Sequence, residues 1–183
     1  LFLQGGPGGK SPRPGSLSGW LAEAVKHFRV LLLDQRGTGL STPANRQSLA
    51  LRGDFAAQAR YLEHFRADSI VRDAEALREQ LGIEKWSTLG QSYGGFCTLT
   101  YLSLFPQSLD RCLVTGGLAS LDAEPREVYR ATYQRMAERN AEYFSWYPQD
   151  FEVLGRIYEH VRHGGDEVLP NGQRVTVPLV QML

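Results

Sequence analysis

The sequence is poor in cysteine, has no excess of charge, and contains no long apolar run. It has 2 cysteines in 183 residues, too few for the disulfide framework of a small secreted domain. Lysine and arginine number 20, as do aspartate and glutamate, so no basic surface for nucleic acid or an anionic membrane is predicted. No segment approaches the roughly 20 apolar residues that span a bilayer. What remains is a globular protein, for which a hydrophobic content of 42% is ordinary.

The two cysteines, Cys97 and Cys112, each lie in an apolar segment. We expect both to be buried free thiols, because unpaired cysteine packs as a small hydrophobic residue. Unpaired thiols favour a reducing compartment, so the cytoplasm is the expected location.

Both ends of the sequence have the character of interrupted elements. Leu1-Phe2-Leu3 begins without methionine and is typical of a strand, and the sequence ends inside the apolar stretch 177–183. We therefore expect a piece of a longer chain, for which the lack of a signal peptide carries no information.

Short apolar runs alternate with helical patterns over residues 1–117. The predicted strands are Leu1–Leu3, Val30–Leu33, Trp86–Leu89 and Leu109–Thr115. The predicted helices are Leu21–Phe28, the amphipathic run from Ile70 to Leu81 with Asp68 as N-cap and Gly82 as stop, and a helix from Ser92 to Phe105 ended by Pro106. This alternation predicts an α/β fold with a parallel sheet and flanking helices.

Residues 121–163 mix charges with aromatics and are predicted to form helices with no strands between them, and Pro170-Asn171-Gly172 is predicted as a turn. We divide the chain into the N-terminal part of an α/β core, residues 1–117, and a helical cap segment, residues 118–183, which we expect to be incomplete. Tyr143, Phe144, Trp146 and Tyr147 could line a pocket or pack the cap, and both interpretations stay open.

The segment Gly90-Gln91-Ser92-Tyr93-Gly94 has the pattern Gly-x-Ser-x-Gly between a predicted strand and a predicted helix. At such a turn a serine is exposed as a nucleophile, and the flanking glycines let strand and helix approach. Average composition produces the pattern by chance in roughly a few per cent of chains this long. The strand–turn–helix context therefore carries the prediction that Ser92 is the catalytic nucleophile.

A glycine-rich loop, Gln4-Gly5-Gly6-Pro7-Gly8-Gly9, follows the first predicted strand. The oxyanion formed in acyl transfer needs two N–H donors about 3 Å away. The residue after the nucleophile, Tyr93, supplies one of them, and Gly6 is the best candidate for the other.

Two nucleotide-site patterns compete with this interpretation. Gln4 to Ser11 nearly matches a P-loop, but Gln4 replaces its first glycine, Pro7 removes an N–H group, and later prolines prevent a helix from starting at Lys10. If this loop bound nucleotide, ATP would raise the thermal stability of the protein.

Gly37-Thr38-Gly39 lacks the third glycine of a dinucleotide site, so we interpret it as a turn in which Asp34 and Arg36 tie neighbouring loops together.

Three motifs in this order resemble the α/β-hydrolase proline iminopeptidases: Leu3 to Gly9, Asp34-Gln35-Arg36-Gly37-Thr38-Gly39-Leu40-Ser41, and Gly90 to Gly95. The segments 139–143 and 147–150 are similar to the longer-chain branch, as is Gln4, where smaller members carry histidine.

The resemblance implies a partial α/β-hydrolase fold followed by a cap. It also implies a serine peptidase that removes an N-terminal residue, typically proline, from a peptide with a free N-terminus, with no metal and no cofactor. By this resemblance Ser92 is the nucleophile, and Gly6 and Tyr93 form the oxyanion hole.

The acid and the histidine of a catalytic triad follow the serine in this fold. His27 and His64 precede Ser92, while His160 and His163 lie at the end of a charged helical segment. Asp110 lies at the amino end of its predicted strand, the wrong end for the site, and Asp122 is only a weak candidate for the acid. We expect the acid and the histidine beyond residue 183, which predicts that residues 1–183 alone do not turn over substrate.

Two alternative functions remain, an esterase or lactonase of the same fold, and a non-catalytic binding protein with an inert Ser92.

Overall fold

The computed structural model describes residues 1–118, 120 and 122–181. Packing divides the chain into two compact units, Leu1–Ser120 and Leu121–Leu183. Within the described ranges, no helix combines the length and the apolarity that crossing a membrane requires.

The first unit contains a parallel sheet of three strands, β1 (Phe2–Leu3), β2 (Trp86–Gln91) and β3 (Leu109–Thr115). They lie side by side in the order β1-β2-β3. Leu3 pairs with Gly90, and Gly90 pairs with Val114. The predicted parallel α/β sheet is confirmed, and the carboxyl ends of its strands meet at one edge, where ligands bind in open sheets of this kind.

The predicted strand at Val30–Leu33 is wrong in extent. The segment forms only an isolated parallel bridge between Phe2 and Leu32, with the Phe2 N–H donating to the Leu31 carbonyl at 2.9 Å. Its four residues are half-buried, not fully covered on both faces. The physical reason is that the neighbouring strand, β1, has only two residues, so the segment cannot form a continuous ladder of hydrogen bonds with it.

Five helices flank the sheet in the first unit. They are α1 (Gly19–Ala24), α2 (Arg46–Ala50), α3 (Phe55–Leu62), α4 (Ala67–Gln80) and α5 (Tyr93–Leu104), with 3₁₀ turns at Glu63–Phe65 and Pro106–Ser108. Helix α5 ends before Pro106 as predicted, whereas α1 is shorter than the predicted helix. Helices α2 and α3 have no counterpart in the sequence-based prediction.

Helix α4 begins differently from the prediction. Its N-cap is Arg66, without a side-chain cap, and Asp68 lies inside the first turn. There the carboxylate of Asp68 is favoured by the helix dipole but caps no N–H group. The predicted stop is confirmed, since Gly82 has a φ of 65° and its N–H donates to the Glu79 carbonyl at 2.9 Å.

The core of the first unit lies between the sheet and helices α4 and α5. Its buried members are Leu3, Ile70, Val71, Ala74, Trp86, Cys97, Tyr101 and Leu109. Burial of Cys97 is confirmed. Burial of Cys112 is wrong, because this residue lies on β3, the last strand of the described sheet, where residues 110–113 are exposed.

One ionised side chain is buried in this core. The Glu75 carboxylate accepts hydrogen bonds from the Tyr101 hydroxyl at 2.7 Å, the Ser108 hydroxyl at 2.8 Å and the Arg78 guanidinium at 2.6 Å. The Trp86 indole N–H donates to the Tyr101 hydroxyl at 3.1 Å. Arg78, followed by the two hydroxyls, lowers the pKa of Glu75 to about 2 against the opposing effect of burial. The cluster thus joins α4 to α5, to β2 and to the 3₁₀ turn before β3.

The second unit consists of helices α6 (Pro125–Trp146), α7 (Pro148–Arg162) and α8 (Val177–Val180). Val168 and Arg174 form an antiparallel bridge around the predicted turn at Pro170–Gly172, which the Gly172 N–H closes onto the Leu169 carbonyl at 2.8 Å.

Four aromatic residues of the second unit contact one another, namely Tyr143, Phe144, Tyr147 and Phe151. The Tyr143 ring lies 5.4 Å from Phe144 and 5.1 Å from Tyr147, and Phe144 lies 5.2 Å from Phe151 on α7. The Tyr143 hydroxyl donates to Asp150 at 2.6 Å. These contacts favour packing between α6 and α7 as the role of Tyr143 and Phe144.

Candidate active site

Ser92 lies on a strained turn at the carboxyl edge of the sheet. It stands between the end of β2 and the start of α5, with φ 52° and ψ −118°. Among the described residues it is the only one other than glycine with a positive φ. The Ser92 N–H donates to the Thr115 carbonyl, and the Ser92 carbonyl accepts from Gly95, both at 2.8 Å. Such a conformation persists only where its surroundings fix it, and strained residues of this kind cluster at active sites.

The glycines of the motif are required by close backbone approach. A β-carbon at Gly94 would collide with the carbonyl group of Leu3 on β1. One at Gly95 would stand 2.8 Å from the α-carbon of Gly117, the second residue after β3. The expected reason for these glycines, close contact around the turn, is thereby confirmed. Gly117 is a further glycine that this close contact requires, and the sequence analysis did not assign it to the site.

The glycine-rich loop contacts the serine directly. A β-carbon at Gly5 would lie 2.8 Å from both the Ser92 β-carbon and the Gln91 carbonyl oxygen, and 3.4 Å from the Ser92 hydroxyl. The structure therefore brings two of the three sequence motifs together at one point, although 87 positions separate Gly5 from Ser92. No side chain at position 5 could fit between them.

The backbone N–H groups of Gly6 and Tyr93 have no hydrogen-bond partner among the described residues. The Gly5 N–H, in contrast, donates to the Gln4 side chain at 3.0 Å. The Tyr93 ring packs against the core and stacks on Phe96 at 6.2 Å.

The Ser92 hydroxyl is exposed and has no hydrogen-bond partner among the described residues of the first unit. Of the two histidines in that unit, His27 pairs with Glu23 at 3.5 Å, and His64 lies in the 3₁₀ turn Glu63–Phe65. The acid Asp110 stands at the opposite end of β3 from the serine, where Ser87 donates to it at 3.3 Å.

The other two histidines belong to the second unit and have acidic partners there. His160 lies 2.5 Å from Glu167, and the His163 Nδ1 lies 2.8 Å from the Glu159 carbonyl oxygen. Asp122 also belongs to this unit and is exposed. Within the described residues of the first unit, neither His27 nor His64 forms a hydrogen bond with Ser92.

Asp34 organises the loops around the site. Its carboxylate is buried and accepts from the Ser11 N–H at 2.8 Å, the Leu40 N–H at 2.9 Å and the Arg13 guanidinium at 2.9 Å. The Leu40 N–H contributes most to holding the pKa of Asp34 below its ordinary value, against the effect of burial. These bonds join the glycine-rich loop to the turn after Leu33.

Arg36 secures the same turn from its other side. Its guanidinium contacts both carboxylate oxygens of Asp73 on α4, at 2.5 and 2.6 Å, and donates to the His64 carbonyl at 2.9 Å. The interpretation that Asp34 and Arg36 tie neighbouring loops together is confirmed.

Gln35 is a site residue whose role the sequence analysis missed. Its side chain is almost fully buried, 2% exposed, and its amide nitrogen donates to the Gln4 carbonyl at 2.9 Å. The only available signal was its position, the second polar residue after the apolar segment Val30–Leu33, at the carboxyl edge of the predicted sheet.

The loop geometry is unlike that of a P-loop. No helix begins at Lys10 or Ser11, since the first helix of the chain starts at Gly19. The Ser11 N–H, which would have to face a phosphate, donates instead to the Asp34 carboxylate at 2.8 Å. A carboxylate in that place repels phosphate, which counts against nucleotide binding.

Known proteins are similar to this chain over most of its length. A family model described as alpha/beta hydrolase fold matches residues 1–155. The chain is 55% identical over 183 residues to a proline iminopeptidase of Aeromonas sobria, covering 99% of this chain and 42% of that protein. It is 41% identical over 169 residues to a proline iminopeptidase of Aspergillus aculeatus, covering 88% of this chain and 38% of that one. The chain thus spans about two fifths of the length of these curated relatives.

Proposed function

The chain belongs to the α/β-hydrolase fold family, and from that premise we propose that it carries the nucleophile and oxyanion-hole half of a serine peptidase active site. The reaction is the removal of an N-terminal residue, proline above others, from a peptide with a free N-terminus. The observation that carries the proposal is the exposed hydroxyl of Ser92 on its strained turn, in contact with the loop at Gly5. Proteins named proline iminopeptidase at 55% and 41% identity support the choice of substrate.

The proposed chemistry is two-step acyl transfer. The Ser92 hydroxyl oxygen attacks the carbonyl carbon of the N-terminal residue while a general base takes its proton. The negative charge that develops on the carbonyl oxygen accepts hydrogen bonds from the Gly6 and Tyr93 N–H groups. The C–N bond then breaks, and the leaving amine takes the proton from the base. Water attacks the acyl-enzyme in the same way, releases the amino acid and restores Ser92.

The proposed reaction also needs a general base and an acid, which we place outside residues 1–183. Because the acid and the histidine follow the serine and the cap in this fold, and the chain spans about two fifths of its curated relatives, we assign the base to a histidine, oriented by an acid, outside residues 1–183. In this arrangement the described residues bind the oxyanion and present the nucleophile, and the missing partners move the proton.

Further parts of the proposal concern the surroundings of the site. Residues 118–183 contribute part of a helical cap, and their mutually packed aromatic residues are consistent with a self-supporting helical unit. A cytoplasmic location is supported by two cysteines that remain unpaired thiols, Cys97 and Cys112.

Substrate comparison with the whole protein tests the assignment. We expect hydrolysis of prolyl arylamide at least about tenfold faster, in kcat/KM, than hydrolysis of an arylamide of N-acetylproline, because the free amine is part of the recognised group. A fluorophosphonate, which reacts with activated serines, should label Ser92. Preference for short acyl esters would indicate an esterase or lactonase, an unlabelled serine would indicate a binding protein, and thermal stabilisation by ATP would revive the nucleotide alternative.

Substitution of Gly5 by alanine should impair catalysis. The added methyl group would stand 2.8 Å from the Ser92 β-carbon and from backbone, so the loop or the serine must move. Displacement on the order of 1 Å costs about 100-fold in rate, and we expect kcat/KM for prolyl arylamide to fall by about that factor. Gly15→Ala is the matched control, because Gly15 lies in the same loop segment with nothing within 4 Å of its added β-carbon. Equal activity of the two variants would contradict the contact between Gly5 and the nucleophile.

A further inference from the structure

Gln35 holds a peptide group next to the proposed oxyanion hole. The peptide linking Gln4 to Gly5 has both of its polar groups bound. Its carbonyl accepts from the Gln35 side-chain amide at 2.9 Å, and its N–H donates to the Gln4 side-chain oxygen at 3.0 Å. The orientation of this peptide plane is therefore fixed from two sides.

The following peptide carries the free N–H of Gly6. Gly5 and Gly6 have no side chains that could be packed in place, and Gly6 adopts a φ of 132°, which is open to glycine and rarely adopted by other residues. A glycine pair of this kind is intrinsically free to rotate about its backbone bonds. The direction of the Gly6 N–H therefore depends on the fixed plane that precedes it.

Gln35 is itself well anchored, as a positioning group must be. Its carbonyl accepts from the Thr38 N–H at 3.0 Å and from the Thr38 hydroxyl at 2.8 Å. The preceding residue is Asp34, whose carboxylate binds Ser11, Arg13 and Leu40. The donor that reaches Gln4 thus projects from a buried residue whose own carbonyl and whose neighbour Asp34 are held by hydrogen bonds.

We infer that Gln35 is a positioning residue of the oxyanion hole: its buried amide fixes the Gln4–Gly5 peptide and through it directs the Gly6 N–H toward the developing oxyanion. The inference rests on the proposed function. Its effect lies in the transition state, where the oxyanion exists, and leaves the ground-state binding of substrate unchanged.

Kinetics of Gln35→Met and Gln35→Glu in the whole protein test this role. Methionine keeps the length of the side chain but removes the donor, and glutamate replaces the donor with an acceptor that repels the Gln4 carbonyl. We expect kcat for prolyl arylamide to fall about 10- to 100-fold in Gln35→Met and further in Gln35→Glu, with KM within about twofold of wild type. Affinity for a prolyl boronate, which forms a tetrahedral adduct with the serine, should fall by the same factor as kcat/KM.

Gln58→Met is the matched control. Gln58 also donates from its side-chain amide to a backbone carbonyl, that of Gly53 at 2.8 Å, but this hydrogen bond is exposed and Gln58 is half-buried on α3. Its loss should leave both kcat and boronate affinity unchanged. Thermal unfolding of every variant separates loss of folded protein from loss of activity per folded molecule.

The outcomes divide cleanly. A parallel loss of kcat and boronate affinity at constant KM supports the role of Gln35. Unchanged kcat per folded molecule, a rise in KM alone, or a fall in kcat with unchanged boronate affinity overturns it.

If the Gln35 variants do not fold, Gln4→Met is used instead, because it removes the acceptor of the Gly5 N–H. A parallel loss of kcat and boronate affinity in this variant supports the fixed peptide plane, and its absence overturns it. A wild-type protein in which fluorophosphonate does not label Ser92 refutes the proposed function itself, which is a distinct result.

Discussion

Replacing Ser92 with alanine should leave the whole protein folded and reduce hydrolysis of prolyl arylamide by about 10⁴-fold or more. The reaction needs an oxygen nucleophile, and the turn presents one hydroxyl, exposed and free of hydrogen bonds within the described first unit. Alanine retains the β-carbon of serine and suffers the same backbone strain at φ 52°, so the geometry of the turn is preserved. Reaction with a fluorophosphonate should disappear together with the activity.

Ser103→Ala provides the matched control for this variant. Ser103 lies on the same helix, α5, is exposed, and donates its hydroxyl hydrogen bond to the Leu99 carbonyl at 2.9 Å, within the helix. Its replacement should change neither activity nor labelling. Full activity of the Ser92→Ala protein would refute the assignment of the nucleophile, and labelling that persists in that variant would locate the reactive group elsewhere.

Glu75→Ala should cost about 3–5 kcal/mol of the free energy of unfolding, the largest stability effect that we expect in the first unit. The substitution leaves the Arg78 guanidinium, whose side chain is 13% exposed, without its carboxylate and removes the acceptor of the Tyr101 and Ser108 hydroxyls. Glu79→Ala is the control, because Glu79 lies on the same helix, is 67% exposed, and stands 3.7 Å from Arg78. It should change the free energy of unfolding by less than about 0.5 kcal/mol. Urea unfolding at pH 7 measures both variants, and equal stabilities would contradict the role of the cluster.

The same carboxylate predicts how stability depends on pH. The pKa of Glu75 is lowered to about 2 in the folded protein, from 4.5 without its partners. Its contribution is therefore complete above about pH 4.5 and is lost as the pH falls from there toward 2, by on the order of 3 kcal/mol. Across this range the wild type should lose more stability than Glu75→Ala, which has no group to protonate. Parallel pH profiles of the two proteins would show that Glu75 is not held ionised.

The site motifs were predictable from sequence because each depends on local backbone requirements. The glycines around Ser92 are dictated by contacts that no β-carbon could make, and these constraints leave a pattern in the residues themselves. The same is true of strands β2 and β3 and of the end of α5 at Pro106. The stop at Gly82 likewise follows from a positive φ that glycine adopts freely.

The incorrect predictions concern features that depend on neighbours. Val30–Leu33 has the composition of a strand, yet its pairing is limited by the two residues of β1. Cys112 has apolar neighbours in sequence, but it lies on the last strand of the described sheet and is exposed. The role of Gln35 depends on a carbonyl 31 positions away, which no local pattern reveals.

The sheet register also determines the order in which this site can be assembled during folding. Gly90 pairs with Val114 across 24 positions and with Leu3 across 87. Closing the longer loop costs about 1 kcal/mol more conformational entropy, so the pairing of β2 with β3 has the advantage of forming first. The serine turn belongs to that early pair, whereas the loop at Gly5 arrives with β1. A chain that is still folding therefore forms the serine turn, with the Tyr93 N–H, before the loop at Gly5 and Gly6 joins it, and the proposed oxyanion hole is complete only once β1 has paired.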